Sequence, residues 1–220
     1  MRRICFLVFL FPFLCIGANS KQTSGYAALV IESSSGNGTQ ELLEGLYDRG
    51  IHSTFLLQGS SLANAPAILE RILADGHEVG CRGYSGNNMT LMSRRAMAGE
   101  IMEFQSLLPP DYPLKLFCPP GGCSDGVRQV AEARKLGILS WSKDLTAPAD
   151  TVRDGDLILI RDSSPILTQE ALAYVDRLIE LGFRPITVTE LAKLRNVKIA
   201  PGKIYSSFPL PEKEGLAAQQ

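Results

Sequence analysis

Five short stretches of the 220-residue sequence hold the side chains able to do chemistry. They are Leu29-Val-Ile-Glu-Ser-Ser, His77-Glu-Val-Gly-Cys-Arg-Gly-Tyr-Ser-Gly, Phe117-Cys-Pro-Pro-Gly-Gly, Trp141-Ser-Lys-Asp and Leu159-Ile-Arg-Asp. Glu32 is a carboxylate that could act as a base. Arg82 and Arg161 stay protonated, so neither can ligate a cation or release a proton near neutral pH. What they can do is bind a carboxylate or a phosphate. A zinc-type ion needs about three ligands from His, Asp or Cys. The sequence has two histidines, and both read as structural: His52 precedes an apolar run and His77 sits in Gly-His-Glu. Ser33-Ser34-Ser35-Gly36 lacks the lysine of a phosphate-binding loop. Trp141 is a sugar-stacking candidate, with a core position as the alternative.

These stretches need strands to position them. Apolar runs at 26–31, 53–57, 78–81, 114–117, 138–141, 157–160 and 185–188 read as strands. Amphipathic segments at 39–48, 66–74, 93–107, 125–136, 168–181 and 190–195 read as helices, the first capped by Thr39. Such alternation predicts βαβ units and a largely parallel sheet. About seven units would close toward a barrel, whose site lies on the loops after the strands. All five stretches lie at predicted strand ends.

Composition sets the frame. Apolar residues make up 45% and charged residues 20%, with a net charge of -1. That is a globular composition, and no basic run marks a nucleic-acid surface. Residues 1–20 read as a signal peptide: Arg2 and Arg3, an apolar run from Ile4 to Ile16, then Gly17-Ala18-Asn19-Ser20. The expected chain is exported, to the periplasm, the cell envelope or beyond, with no transmembrane segment after cleavage. A single domain is expected over 21–195 and a flexible tail over 196–220.

In order and in framework, the five stretches resemble the motifs of the polysaccharide deacetylase family, the NodB-homology domain of carbohydrate esterase family four. The resemblance implies a distorted, incomplete (β/α) barrel and the removal of acetyl groups from N-acetylated glycans by a metal-bound water. It also implies roles that this sequence does not fill. Glu32 stands at the base position. Ser33 stands where the family has a metal-binding aspartate, and Arg82 and Gly86 where it has two metal-binding histidines. Cys118 replaces an orienting arginine, and Arg161 replaces the general-acid histidine.

The expectation is a metal-free, catalytically inactive member with no cofactor. Its old groove, formed by Glu32, Ser33, Arg82, Tyr84, Cys118, Trp141 and Arg161, would bind a cell-wall or extracellular glycan, or a protein partner. Arg82 is expected to fill the metal's place and pair with Glu32. In an oxidising compartment Cys118 would form a disulfide with Cys81 or Cys123. The competing expectation is an active hydrolase of carbon–nitrogen bonds with a rebuilt site using Glu32.

Overall fold

The computed structural model describes residues 25–33, 36–162 and 164–210. The expected signal peptide and the last ten residues lie outside that set. The chain runs through β1 (Gly25–Ser33), α1 (Asn37–Asp48), β2 (Thr54–Leu57), α2 (Gly59–Asn64), α3 (Pro66–Ala74) and β3 (Glu78–Cys81). It continues through α4 (Arg94–Gln105), β4 (Leu116–Phe117), α5 (Asp125–Ala133), β5 (Gly137–Leu139) and β6 (Lys143–Asp144). It closes with β7 (Leu157–Arg161), α6 (Pro165–Glu180), β8 (Phe183–Ile186), α7 (Val188–Leu194) and β9 (Ile204–Tyr205). No helix among the described residues is long and apolar enough to cross a membrane.

The strands form one nine-stranded sheet in the order β6-β7-β1-β2-β3-β4-β5-β9, with β8 joining the early part of β1. Every strand pair is parallel. The sheet curls into the incomplete (β/α) barrel that the family resemblance implies.

Two cores follow from the alternation of side chains along each strand. Leu29, Ile31, Phe55, Val79, Phe117, Ile158 and Ile160 face outward, onto Leu42, Leu46, Ile72, Phe104 and Val175 of the helices. Ala28, Val30, Leu56, Leu116, Leu139, Leu157 and Leu159 face inward. Val188, Leu191, Tyr205 and Phe208 complete the inner core.

Two expectations are corrected here. Residues 196–210 are not a flexible tail. β9 pairs with β5, Ile138 opposite Ile204 and Leu139 opposite Tyr205. The Tyr205 and Phe208 rings then stack with centroids 5.1 Å apart. A two-residue strand carries no periodicity, which is why the sequence pattern stops before it. Thr39 is not the helix cap either, since α1 is preceded by Gly36. Its hydroxyl is buried and donates to Asp162 Oδ2 at 2.6 Å.

Candidate functional site

Inward parity builds the site. Glu32 continues the series Ala28, Val30; Arg161 continues Leu157, Leu159; Cys118 follows Leu116 and Trp141 follows Leu139. Arg82 extends β3 beyond Gly80, whose Cα faces Leu56 and Leu116 of the inner core. These five side chains therefore meet at the carboxyl end of the sheet. They line a cavity of about 400 Å³ together with Pro119, Cys123, Ser140 and Ile204.

Glu32 and Arg161 are direct cross-strand partners on β1 and β7. Arg161 Nε donates to Glu32 Oε2 at 3.0 Å. Arg82 leaves β3 with its backbone N–H donating to Leu57 O at 2.9 Å. Its Nη1 reaches across β2 to pair with Glu32 Oε1. One carboxylate thus lies between two guanidiniums. The Glu32 side chain is 15% exposed, Arg82 26% and Arg161 50%, so Arg161 is the arm most open to solvent. Arg161 also lies over the Trp141 ring, 5.7 Å from its centroid, a cation–π arrangement.

The thiols are not anions. Burial pushes Cys118 up to about 11, against a smaller opposing pull from Arg82. Burial pushes Cys81 up to about 12. Neither is a thiolate near neutral pH, so neither is a ready nucleophile or metal ligand. Among the described residues Cys81, Cys118 and Cys123 are free, and the expected disulfide of Cys118 with Cys81 or Cys123 is not formed. Sheet register explains the first pair. Cys81 lies opposite Phe117, so Cys118, one residue on, faces the other side of the sheet. Cys81 packs in the outer core and Cys118 in the inner one. Cys123 lines the cavity but packs against the outer core.

Ser33 and Tyr84 fall away from the cavity lining. Ser33 has outward parity, and its hydroxyl lies 3.0 Å from that of Thr39. Thr39 spends its own proton on Asp162, so Ser33 is the donor. Tyr84 packs its ring at the start of α2, where a Cβ on Gly59 would touch it, and its backbone N–H donates to Glu100 at 2.8 Å. The sequence reading missed Cys123 as a lining residue, Ser140, and Ile204 of β9. Only Cys123 carried any signal, as a cysteine beside the Gly121-Gly122 turn.

The donor set does not fit a divalent ion. Among the described residues no three of His, Cys, Asp and Glu form a group that could hold one. The cavity's carboxylate is shared by two cations. Gly86 has φ 76°, which strains any side chain placed there, and a Cβ would sit 2.4 Å from Gln58 Oε1, so the end of the Gln58 side chain would have to move as well. His77 is at the other end of the strands. Its Nδ1 accepts from Ser53 N–H at 3.1 Å and its ring meets Phe55 edge-on at 5.0 Å. Burial lowers its pKa to about 4.

Comparison with known proteins agrees with this framework. The family model described as polysaccharide deacetylase matches residues 19–141. A chitooligosaccharide deacetylase of Sinorhizobium fredii is 26% identical over 187 residues, covering 78% of this chain and 84% of that one. A peptidoglycan-N-acetylglucosamine deacetylase of Listeria monocytogenes is 26% identical over 181 residues, 76% of this chain but only 38% of the longer relative. Among solved structures, the Xyl-CE4 domain of a xylanase from the hindgut metagenome of Trinervitermes trinervoides superposes with a TM-score of 0.76 at 21% identity, covering 86% of this chain and 100% of that one. A mutant of a CE4 family pseudoenzyme with restored enzymatic activity superposes with a TM-score of 0.68 at 22% identity, covering 77% and 67%.

Proposed function

The chain belongs to the polysaccharide deacetylase family, and from that membership we propose that it is an exported member that binds an acidic cell-wall glycan without a divalent metal and without deacetylating it. The observation that supports this most is the clamping of Glu32 between Arg82 and Arg161. Both carboxylate oxygens are engaged by guanidiniums, so neither faces an attacking water as a free base would. Arg161 fills the general-acid position with a group that keeps its proton.

The same trio suits recognition. Two arginines and one glutamate leave one unit of positive charge in the cavity. Arg161 uses Nε for Glu32, and among the described residues its terminal nitrogens have no partner. They can hold a ligand carboxylate while the Trp141 face packs against a sugar ring. An N-acetylated, carboxylate-bearing saccharide of the kind found in bacterial walls matches both features. The leader-like pattern read in the sequence at 1–20 and the relatives named for peptidoglycan support a place of action outside the cytoplasm.

The chain's single tryptophan lies in the cavity and reports on it directly. Titration with a carboxylate-bearing wall disaccharide is expected to change Trp141 fluorescence saturably. Neutral chito-oligosaccharide is expected to bind at least about tenfold more weakly. Neither should release acetate, with or without added zinc. Zinc-dependent acetate release would overturn the proposal. Metal-independent release abolished by Glu32→Gln would establish the hydrolase instead.

A further inference from the structure

At the opposite end of the sheet four lysines surround a second cavity, of about 480 Å³. Lys115 immediately precedes β4, and Lys135 lies one residue ahead of Leu136 at the approach to β5. Cys118 and Trp141 leave the other ends of those two strands. Lys193 comes from α7 and Lys198 from the segment after it. Between the lysines the lining is apolar, with Val197 and Ile199.

No Asp or Glu lines this cavity. Among the described residues none of the four lysines forms an ion pair. Of the carboxylates on neighbouring elements, Glu132 of α5 lies against Gly202, next to Pro201 of the lining, and two others are engaged elsewhere. Glu78 accepts from Thr54 and Thr189, and Glu190 closes the capping box of α7 with Thr187. Four unpaired ammonium groups round one concavity repel each other and focus a positive potential there. That charge stands out in a chain whose net charge is only -1.

Backbone conformation supplies a second observation. α1, α3 and α6 are each followed by a glycine in the left-handed region, Gly50, Gly76 and Gly182. α7 uses Asn196, which tolerates that region. At the same point after α5 stands Lys135, with φ 59°. A lysine has no steric advantage there and is strained relative to glycine. Strain accepted by a side chain that lines a cavity points to a use for that side chain.

We propose that this cavity binds a polyvalent anion of small-molecule size, bearing two or more phosphate or carboxylate groups. The lysines would match its charges, and the apolar lining would contact any carbon frame between them. The volume suits such a ligand. No aromatic side chain lines the cavity, so a nucleobase would find no stacking surface. This site does not depend on the reading of the Glu32 cavity.

Calorimetric titration of the whole protein with inorganic tripolyphosphate and with citrate tests it. Saturable binding of one or both is expected, weaker at raised salt. A response to tripolyphosphate alone assigns a phosphate ligand, and one to citrate alone a carboxylate. Lys135→Gly is expected to weaken binding about tenfold while raising Tm and leaving the Trp141 fluorescence response intact. That combination separates a lost contact from a damaged fold. Lys115→Gln with Lys193→Gln should weaken it further. No saturable binding of either anion, or unchanged affinity in Lys135→Gly, would overturn the proposal. So would binding confined to phosphatidylglycerol vesicles, which would assign the patch to a membrane surface.

Discussion

Glu32 accepts from two arginines that differ in exposure, and their loss should have unequal cost. Arg82→Met leaves a largely buried carboxylate with one partner. We expect a loss of about 1–3 kcal/mol in urea unfolding, the range for an under-satisfied buried polar group. Arg161 is half exposed, so Arg161→Met should cost under about 1 kcal/mol, while its effect on ligand binding is the larger. The reverse order of stabilities would contradict the clamp. His77 sets a pH dependence. Its folded pKa is depressed, so it stays neutral in the fold while the unfolded chain protonates near 6.5. Stability is therefore full above about pH 6.5 and falls as pH drops toward 4. The loss is on the order of 3 kcal/mol. His77→Gln, which does not titrate, should flatten the unfolding profile between those pH values.

At the scale of the elements, the loop after β3 decides whether the family's chemistry can be restored. Placing His at 82 supplies one ligand in the cavity, but Asp at 33 would follow the outward parity of Ser33, and the third position is Gly86, with its left-handed backbone and Gln58 against it. Ser33→Asp, Arg82→His and Gly86→His together are expected to lower Tm and to give no stoichiometric zinc site by metal analysis of the dialysed protein. One zinc per chain would show that the loop rearranges more freely than its packing implies. The strand ends were legible in sequence because apolar runs such as Leu29–Ile31 and Leu159–Ile160 stop abruptly at charged or polar residues. Those runs are apolar on both faces, so the inward direction of Glu32 and Arg161 could not be read from them. Of their partners, Arg82 was expected beside Glu32, whereas the second arginine on that carboxylate, Arg161, was not. Which face Cys118 shares with Cys81 depends on the register between β3 and β4, a relation between distant segments. Ser33 and Tyr84 were placed in the groove by motif position, whereas parity and packing take them elsewhere.

The whole molecule is closed by its C-terminal segment. Phe208 N–H donates to Gly155 O at 2.7 Å, and Arg195 Nε donates to Phe208 O at 3.1 Å. Arg195 also pairs with Asp154 at 2.5 Å, on the turn that holds Tyr26 of β1. A chain ending at Asn196 loses β9, Tyr205 and Phe208 together. Burial of those two rings alone is worth on the order of 3 kcal/mol, so the truncated chain is expected to melt well below the full-length protein by circular dichroism. Equal melting would mean that the segment only decorates the fold.

The wall contributed by Ile204 also places the cavity in time. Glu32 belongs to the first strand of the sheet and Ile204 to the last, with Arg82, Trp141 and Arg161 made in between. A ribosome releases these parts in order, and contacts so distant in sequence form slowly. A nascent chain therefore has its charges before it has a pocket, and the cavity is complete only once the final strand has docked.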